Sequence, residues 1–298
     1  MFIIILLLRQ LITIMIKNTQ TVFYSLLLCL IIPFIAMPKA YADDQDKEYI
    51  VGIVPQFETR RLHQIWQPIL NYLFQETGHK LILRGSPTIP DFETEFMQGK
   101  FDFAYMNPYH IMLANQIQGY LPLVRDRGRT LYGVLVVRKD SNINSVKELA
   151  GKTLAFPAPN ALGASLQIRQ EITDKFRIKI NPIYVKTHDS VYLSVLLGEA
   201  AAGGGVQKTL DLQIDHYRAA LKIIHRTEDV VPHPFSAHPR VPLNVQEDIK
   251  LALLKLGQSD SGAALLAKIP MKQIGPTQMG DYLPLKALGL ERFYIKSQ

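Results

Sequence analysis

The stretch Phe101-Asp102-Phe103-Ala104-Tyr105-Met106 followed by Asn107-Pro108-Tyr109 decides the fold. A short apolar strand ends at a residue suited to cap a helix, and proline stands where a first helical turn tolerates it. The pattern returns twice. Lys152 to Phe156 runs into Pro157-Ala158-Pro159-Asn160, and Pro182 to Lys186 runs into Thr187-His188-Asp189-Ser190. Caps at the carboxyl ends of parallel strands gather helix N-termini around one crevice. Free N–H groups and positive dipole ends there suit a small anionic ligand.

Outward from these junctions the same alternation continues. Tyr49 to Val54 reads as a buried strand. Leu62, Ile65, Trp66, Ile69, Leu70 and Leu73 follow as a helical stripe, with Pro68 kinking the helix or delaying its start. Lys80–Arg84 is a strand, Phe92–Gln98 a short helix, and Asn107 opens a helix to Ile117. Thr130–Arg138 is a long strand that leads into a second unit. There the pattern predicts a helix over 161–173, a strand over 182–186, a helix over 190–198 and a helix over 207–219. Strands alternating with helices call for an α/β fold. The boundaries follow as 43–136 plus 225–298 for one lobe and 137–224 for the other, with crossing strands near Tyr132–Val137 and Leu221–His225.

The first 42 residues fall outside this pattern. Lys17 precedes an apolar run from Val22 to Ala36, and Ala40-Tyr41-Ala42 fits a secretory cleavage site. Residues 1–42 therefore read as a signal peptide with Met15 as a possible start; a retained anchor is the rival reading. Cleavage removes Arg9, Lys17 and Lys39, so the net charge of +7 over 298 residues becomes +4 over 256. No Lys/Arg block remains, so nucleic acid is not an expected partner. The single cysteine, Cys29, leaves with the signal, so the mature chain carries no thiol chemistry. A chain of this length buries a core unaided, and a monomer is expected.

The order Asp102-Phe-Ala-Tyr-Met-Asn-Pro108, Val146-Lys-Glu-Leu-Ala-Gly-Lys152 and Thr187-His-Asp-Ser190, with Gly198-Glu199 beyond it, resembles the phosphonate-binding (PhnD-like) family. These are periplasmic solute-binding proteins of ABC transporters. The resemblance covers about residues 48–270 and includes Ala237-His-Pro-Arg-Val-Pro242. It implies a two-lobed periplasmic-binding-protein fold of type II, with two crossing strands and a ligand trapped between the lobes. The partners it implies are a small-molecule ligand and a membrane permease. The alternative reading is a ligand sensor whose partner is a signalling receptor, and a third is that the chain is an enzyme on the same fold.

Two positions depart from the family pattern. Asn160-Ala-Leu-Gly-Ala-Ser165 replaces a run of Ser/Thr hydroxyls that grips a phosphonate. Gly203-Gly204-Gly205 replaces carboxylates at a strand end. Hydrogen bonds to a charged ligand contribute ~1.5–3 kcal/mol each, so phosphate and phosphonates are expected to bind weakly. The glycines suggest close backbone approach to the cleft.

The candidate ligand-binding residues are Gln56, Phe57, Tyr105, Asn107, Tyr109, Asn160, Ser165, His188 and Asp189. Asn107 reads as an N-cap, a ligand contact, or both, and Phe57 as a contact or a packing residue. His188 is placed to donate a proton to an anion, against a plain loop reading, and Asp189 to cap the helix beginning at Ser190. No marked nucleophile accompanies the His188–Asp189 pair, so no catalytic residue is assigned. His233 and His238 lack further ligands at metal spacing, so no metal and no cofactor are expected.

Overall fold

The computed structural model describes residues 47–269 and 271–296. The expected signal peptide, residues 1–42, lies outside the described residues.

The first lobe begins with β1 (Glu48–Ile53), α1 (Thr59–Thr77), β2 (Lys80–Gly85), α2 (Ile89–Met97), β3 (Phe103–Tyr105), α3 (Pro108–Gln118) and β4 (Leu121–Asp126). Its apolar stripe buries one face of α1, and the helix already begins at Thr59 and continues past Pro68. Asn107 caps α3: its Oδ1 accepts from Tyr109 N at 2.9 Å and His110 N at 2.8 Å. Gly119, at φ 78°, ends that helix in the left-handed conformation.

The chain then crosses to the second lobe. This holds β5 (Gly133–Arg138), β6 (Thr153–Phe156), a π-turn over Leu162–Leu166, α4 (Gln167–Asp174), β7 (Asn181–Tyr184), α5 (His188–Leu196), β8 (Ala202–Val206), α6 (Gln207–Asp211), α7 (Asp215–Ala219) and β9 (Leu221–Arg226). The expected helix over 161–173 is thus a π-turn followed by two turns of α-helix, and that over 207–219 is broken in two. The chain returns for β10 (Pro234–Ala237), α8 (Leu243–Leu256), α9 (Asp260–Leu266), β11 (Ile274–Pro276) and a tail of 3-10 turns ending at Arg292.

Two mixed sheets result, ordered β11-β4-β10-β3-β1-β2 and β7-β6-β8-β5-β9. In the first, β2, β1 and β3 run parallel and β10 runs antiparallel to β3. In the second, β7, β6 and β8 run parallel, while β5 pairs antiparallel with both β8 and β9. The long strands near 132–137 and 221–225 therefore belong to the second sheet along their whole length. The two crossing segments meet at a Leu131–Val230 bridge. Its two backbone hydrogen bonds are both 2.8 Å long. The expected boundaries at 136/137 and 224/225 fall inside β5 and β9.

Strand periodicity explains the second lobe's layers. Leu135 and Val137 pack with Leu154, Phe156, Ile168 and Ile172 on one face of the sheet. Val134 and Val136 pack with Tyr192, Val195 and Leu210 on the other. The glycine run in β8 serves this packing. A Cβ at Gly204 would lie 2.1 Å from Ala164 O, and one at Gly205 would lie 2.0 Å from the Tyr192 hydroxyl. The expected close approach is therefore to the π-turn and α5, not to a ligand.

Candidate functional site

Gln56 and Phe57 follow β1 at its carboxyl end. The buried Gln56 Nε2 donates to His233 Nε2 at 3.1 Å. His233 stacks on Tyr105 at 5.3 Å, and Tyr105 packs against Trp66 at 5.1 Å. Burial, with the fields of His110 and His188, pushes His233 down to about 3, so it is neutral at neutral pH. Burial also raises the Tyr105 hydroxyl well above its usual range. Arg61 lies over the Phe57 ring at 4.1 Å, which fixes that ring at the cleft.

On the opposite lobe, the cap of α5 is Thr187 rather than Asp189. Thr187 Oγ1 accepts from Ser190 N at 3.1 Å. A threonine in extended conformation one turn before Ser190 has the reach for this bond, whereas Asp189 already lies within the helix. Asp189 accepts instead from Gln213 Nε2 at 2.6 Å and faces Arg61 of the first lobe at 3.8 Å. His188 is buried, and burial lowers it to about 4 despite the nearby Asp189. Its Nδ1 lies 3.3 Å from Thr209 Oγ1.

The second junction is built differently from a capped helix. No side chain caps the π-turn that follows Asn160. The Asn160 amide reaches across to the first lobe, donating to Glu93 Oε2 at 2.9 Å and Ile295 O at 2.7 Å. Its Oδ1 accepts from Ile295 N at 2.9 Å. Asn107 Nδ2 donates to Asn160 O at 3.3 Å, and His110 pairs with the fully buried Glu93 at 2.8 Å. The tail straps the same interface: Arg169 donates to Phe293 O at 2.8 Å, Arg292 pairs with Asp174 at 2.5 Å, and Tyr294 packs on Tyr109 at 5.6 Å. Ser165 accepts from Arg169 Nε at 3.1 Å. Ala158, Ala161, Leu162, Ala164 and Val206 of the second lobe join the first lobe's hydrophobic core.

Residues of all three junctions line one small cavity of about 20 Å³. Asn107, the segment Ala161–Ala164 and His188 surround it, together with Gln56 and His233. Its potential as an anion cradle is reduced at two of them. Pro108 has no N–H, the next two donors of α3 are held by Asn107, and Ser190 N is held by Thr187. A larger cleft of about 600 Å³ adjoins it and shares Gln56, Val206 and His233 as walls. Phe57, Tyr132 and Leu212 supply its apolar surface, and its charged residues are Arg129, Lys208 and Lys272 with one acid, Asp211.

Of the sequence candidates, Gln56, Phe57, Asn107 and His188 thus line these cavities. Tyr105, Tyr109, Asn160, Ser165 and Asp189 line neither and are held by protein partners. His233 was not among the candidates. Its signal was the Pro232-His233-Pro234 step just after the return crossing, where the topology places a residue at the cleft. Among the described residues, no group of three metal-ligating side chains occurs, and no helix is long and apolar enough to cross a membrane.

The fold has close counterparts among solved structures. A binding-protein component of an ABC phosphonate transporter from Pseudomonas aeruginosa superposes with a TM-score of 0.76 at 17% identity, covering 83% of this chain and 87% of the other. PhnD1 from Prochlorococcus marinus, in complex with methylphosphonate, gives 0.75 at 15% identity, covering 84% and 99%. The phosphate-import protein PhnD of Mycolicibacterium smegmatis is 23% identical over 223 residues, 67% of this chain and 69% of that protein. The family model for the periplasmic substrate-binding protein of phosphonate ABC transporters matches residues 51–282. With that match spanning most of its length, the chain belongs to the phosphonate family of periplasmic substrate-binding proteins of ABC transporters.

Proposed function

We propose that this protein captures an anionic solute between its lobes, in the cleft walled by Gln56, Phe57, Thr209 and His233, and hands it to the permease of an ABC transporter. One observation carries the reading. Buried polar side chains from both lobes, Gln56 and His233 on one side and Thr209 on the other, meet at a single cleft whose charged lining is mostly cationic. Such a cleft desolvates an anion while giving it donors and compensating charge. The lobes divide at the Leu131–Val230 bridge, and closure turns about the two segments that meet there. Cleavage after Ala42 delivers the chain to the periplasm, where such a partner is met.

A thermal-shift panel of phosphate, methylphosphonate, sulfate, small carboxylates and organophosphates tests the reading. A ligand at 100 times its dissociation constant adds ~2.7 kcal/mol of stability. For a chain of this size that is a rise of about 5–10 °C. Gln56→Ala should lose the shift. Silence across the whole panel at millimolar concentrations sinks the proposal.

A further inference from the structure

We infer that the solute is an organic anion with a body much larger than phosphate or methylphosphonate, seated in the 600 Å³ cleft rather than at the junction of the three helix starts. The inference rests on the solute-binding reading above and specifies its substrate class.

The junction itself is filled. Ala161, Leu162 and Ala164 are buried in the first lobe's core, and the space left among them, Asn107 and His188 is about 20 Å³. A water needs roughly 10–15 Å³ of such volume, so the cavity holds about one water and not a tetrahedral oxyanion. Along Ala161–Ala164 the lining side chains are methyl and isobutyl groups and offer an oxyanion no hydroxyl, although Gln56, Asn107, His188 and His233 stand around them. Three of the N–H groups at the starts of α3 and α5, those of Tyr109, His110 and Ser190, are already engaged by Asn107 and Thr187.

The adjoining cleft has the opposite character. Its volume lies within the ~300–1,000 Å³ typical of pockets for organic ligands. Lys208 and Lys272 approach it from different lobes, and Arg129 stands at the crossing segment between them. Asp211 is the one acid in its lining, and it accepts from Gln207 at 2.8 Å. Asp126 lies 4.0 Å from Arg129 and offsets part of that charge. The balance remains positive. Phe57 and Tyr132 offer ring surface, and each is itself held by an arginine, Arg61 at 4.1 Å and Arg226 at 3.7 Å. Cations at the mouth, buried amide and imidazole at the inner end, and fixed aromatic surface fit an anionic head on an apolar or planar body.

Isothermal titration calorimetry on the mature protein decides the matter with four probes: phenylphosphonate, AMP, methylphosphonate and phosphate. The expected result is that at least one of the two larger probes binds about tenfold or more tighter than both small ones. Lys208→Gln combined with Lys272→Gln should then weaken that larger probe by about tenfold, and raising ionic strength from about 50 to 500 mM should weaken it further. The inference is overturned if methylphosphonate or phosphate matches the larger probes, or if neither larger probe binds at millimolar concentration. In the first case the solute-binding reading stands and only the size assignment falls. Silence from these four and from the whole thermal-shift panel removes both. Wild-type affinity for the larger probe in the double lysine variant also overturns it, because the cations would then play no part.

Discussion

Replacing Asn160 with alanine should loosen the closed arrangement of the lobes. The side chain makes three hydrogen bonds, at 2.9 Å to Glu93 Oε2, 2.7 Å to Ile295 O and 2.9 Å from Ile295 N. All three partners belong to the first lobe or to the tail anchored in its core through Leu290. The bond to the carboxylate is worth ~1.5–3 kcal/mol and each neutral bond ~0.5–1.5 kcal/mol. Allowing for water that enters the vacated space, the closed form should lose about 3 kcal/mol relative to the open one. That is a shift of roughly 150-fold in the equilibrium between them. Small-angle scattering of the solute-free variant should show a larger radius of gyration. Where closure is so favourable that the shape holds, the loss should appear in the urea midpoint instead. Arg292→Ala is the control, since its pair with Asp174 is solvent-exposed and should contribute little. The reasoning is refuted if Asn160→Ala matches wild type in scattering, in solute affinity and in urea midpoint together.

Other perturbations separate packing from binding. Gly204→Ala places a Cβ 2.1 Å from a backbone oxygen that has little room to move, so stability should drop by about 3 kcal/mol or more in urea unfolding. Tyr105→Ala should cost the solute-free protein ~3–5 kcal/mol, because the ring is buried between Trp66 and His233. Thr187→Ala should cost ~1 kcal/mol as a lost cap, and Asp189→Ala less in the absence of solute. Stability should also fall on mild acidification. His188 and His233 are depressed to about 4 and about 3, so the unfolded chain takes up protons near pH 6.5 while the folded chain does not. Their contribution is complete above that pH and declines as pH falls toward 4. Urea unfolding at about pH 7 and pH 5 should differ by on the order of 2 kcal/mol per histidine, and His188→Gln should remove roughly half of the drop.

The layered α/β architecture was legible because its signals are local. Asn107-Pro108 after an apolar strand, the stripe from Leu62 to Leu73 and the alternation in β5 each fit within a dozen residues. The strands that escaped notice are short and interrupted: Pro122 stands in β4, Pro234 opens β10, and β11 is Ile274-Gly275-Pro276. Their pairing is supplied by neighbours far along the chain, not by their own composition. The same distance governs the site. His233 meets Gln56 across 177 residues, and Asn160 meets Glu93 and Ile295 across 67 and 135. A capping residue at a strand end was the economical reading of Asn160, and only the closed interface shows its amide turned toward the other lobe. The glycine run was legible as a place where backbone comes close to something. That the neighbours are Ala164, Phe156 and Tyr192 depends on how two layers meet.

The central claim is that solute sits in the cleft between the lobes. Because Cys29 is the single cysteine of the chain and lies in the segment expected to be cleaved, protein produced from Asp43 onward with a thiol introduced at Leu212 in the cleft wall reports on occupancy directly. The measurement is the rate of maleimide labelling of Leu212→Cys with and without a saturating anion chosen from the thermal-shift panel. Leu243→Cys, at a site 78% exposed and outside the cleft, serves as the reference. The account predicts about tenfold slower labelling at position 212 in the presence of solute and an unchanged rate at 243. Equal rates at position 212 with and without bound solute would contradict it.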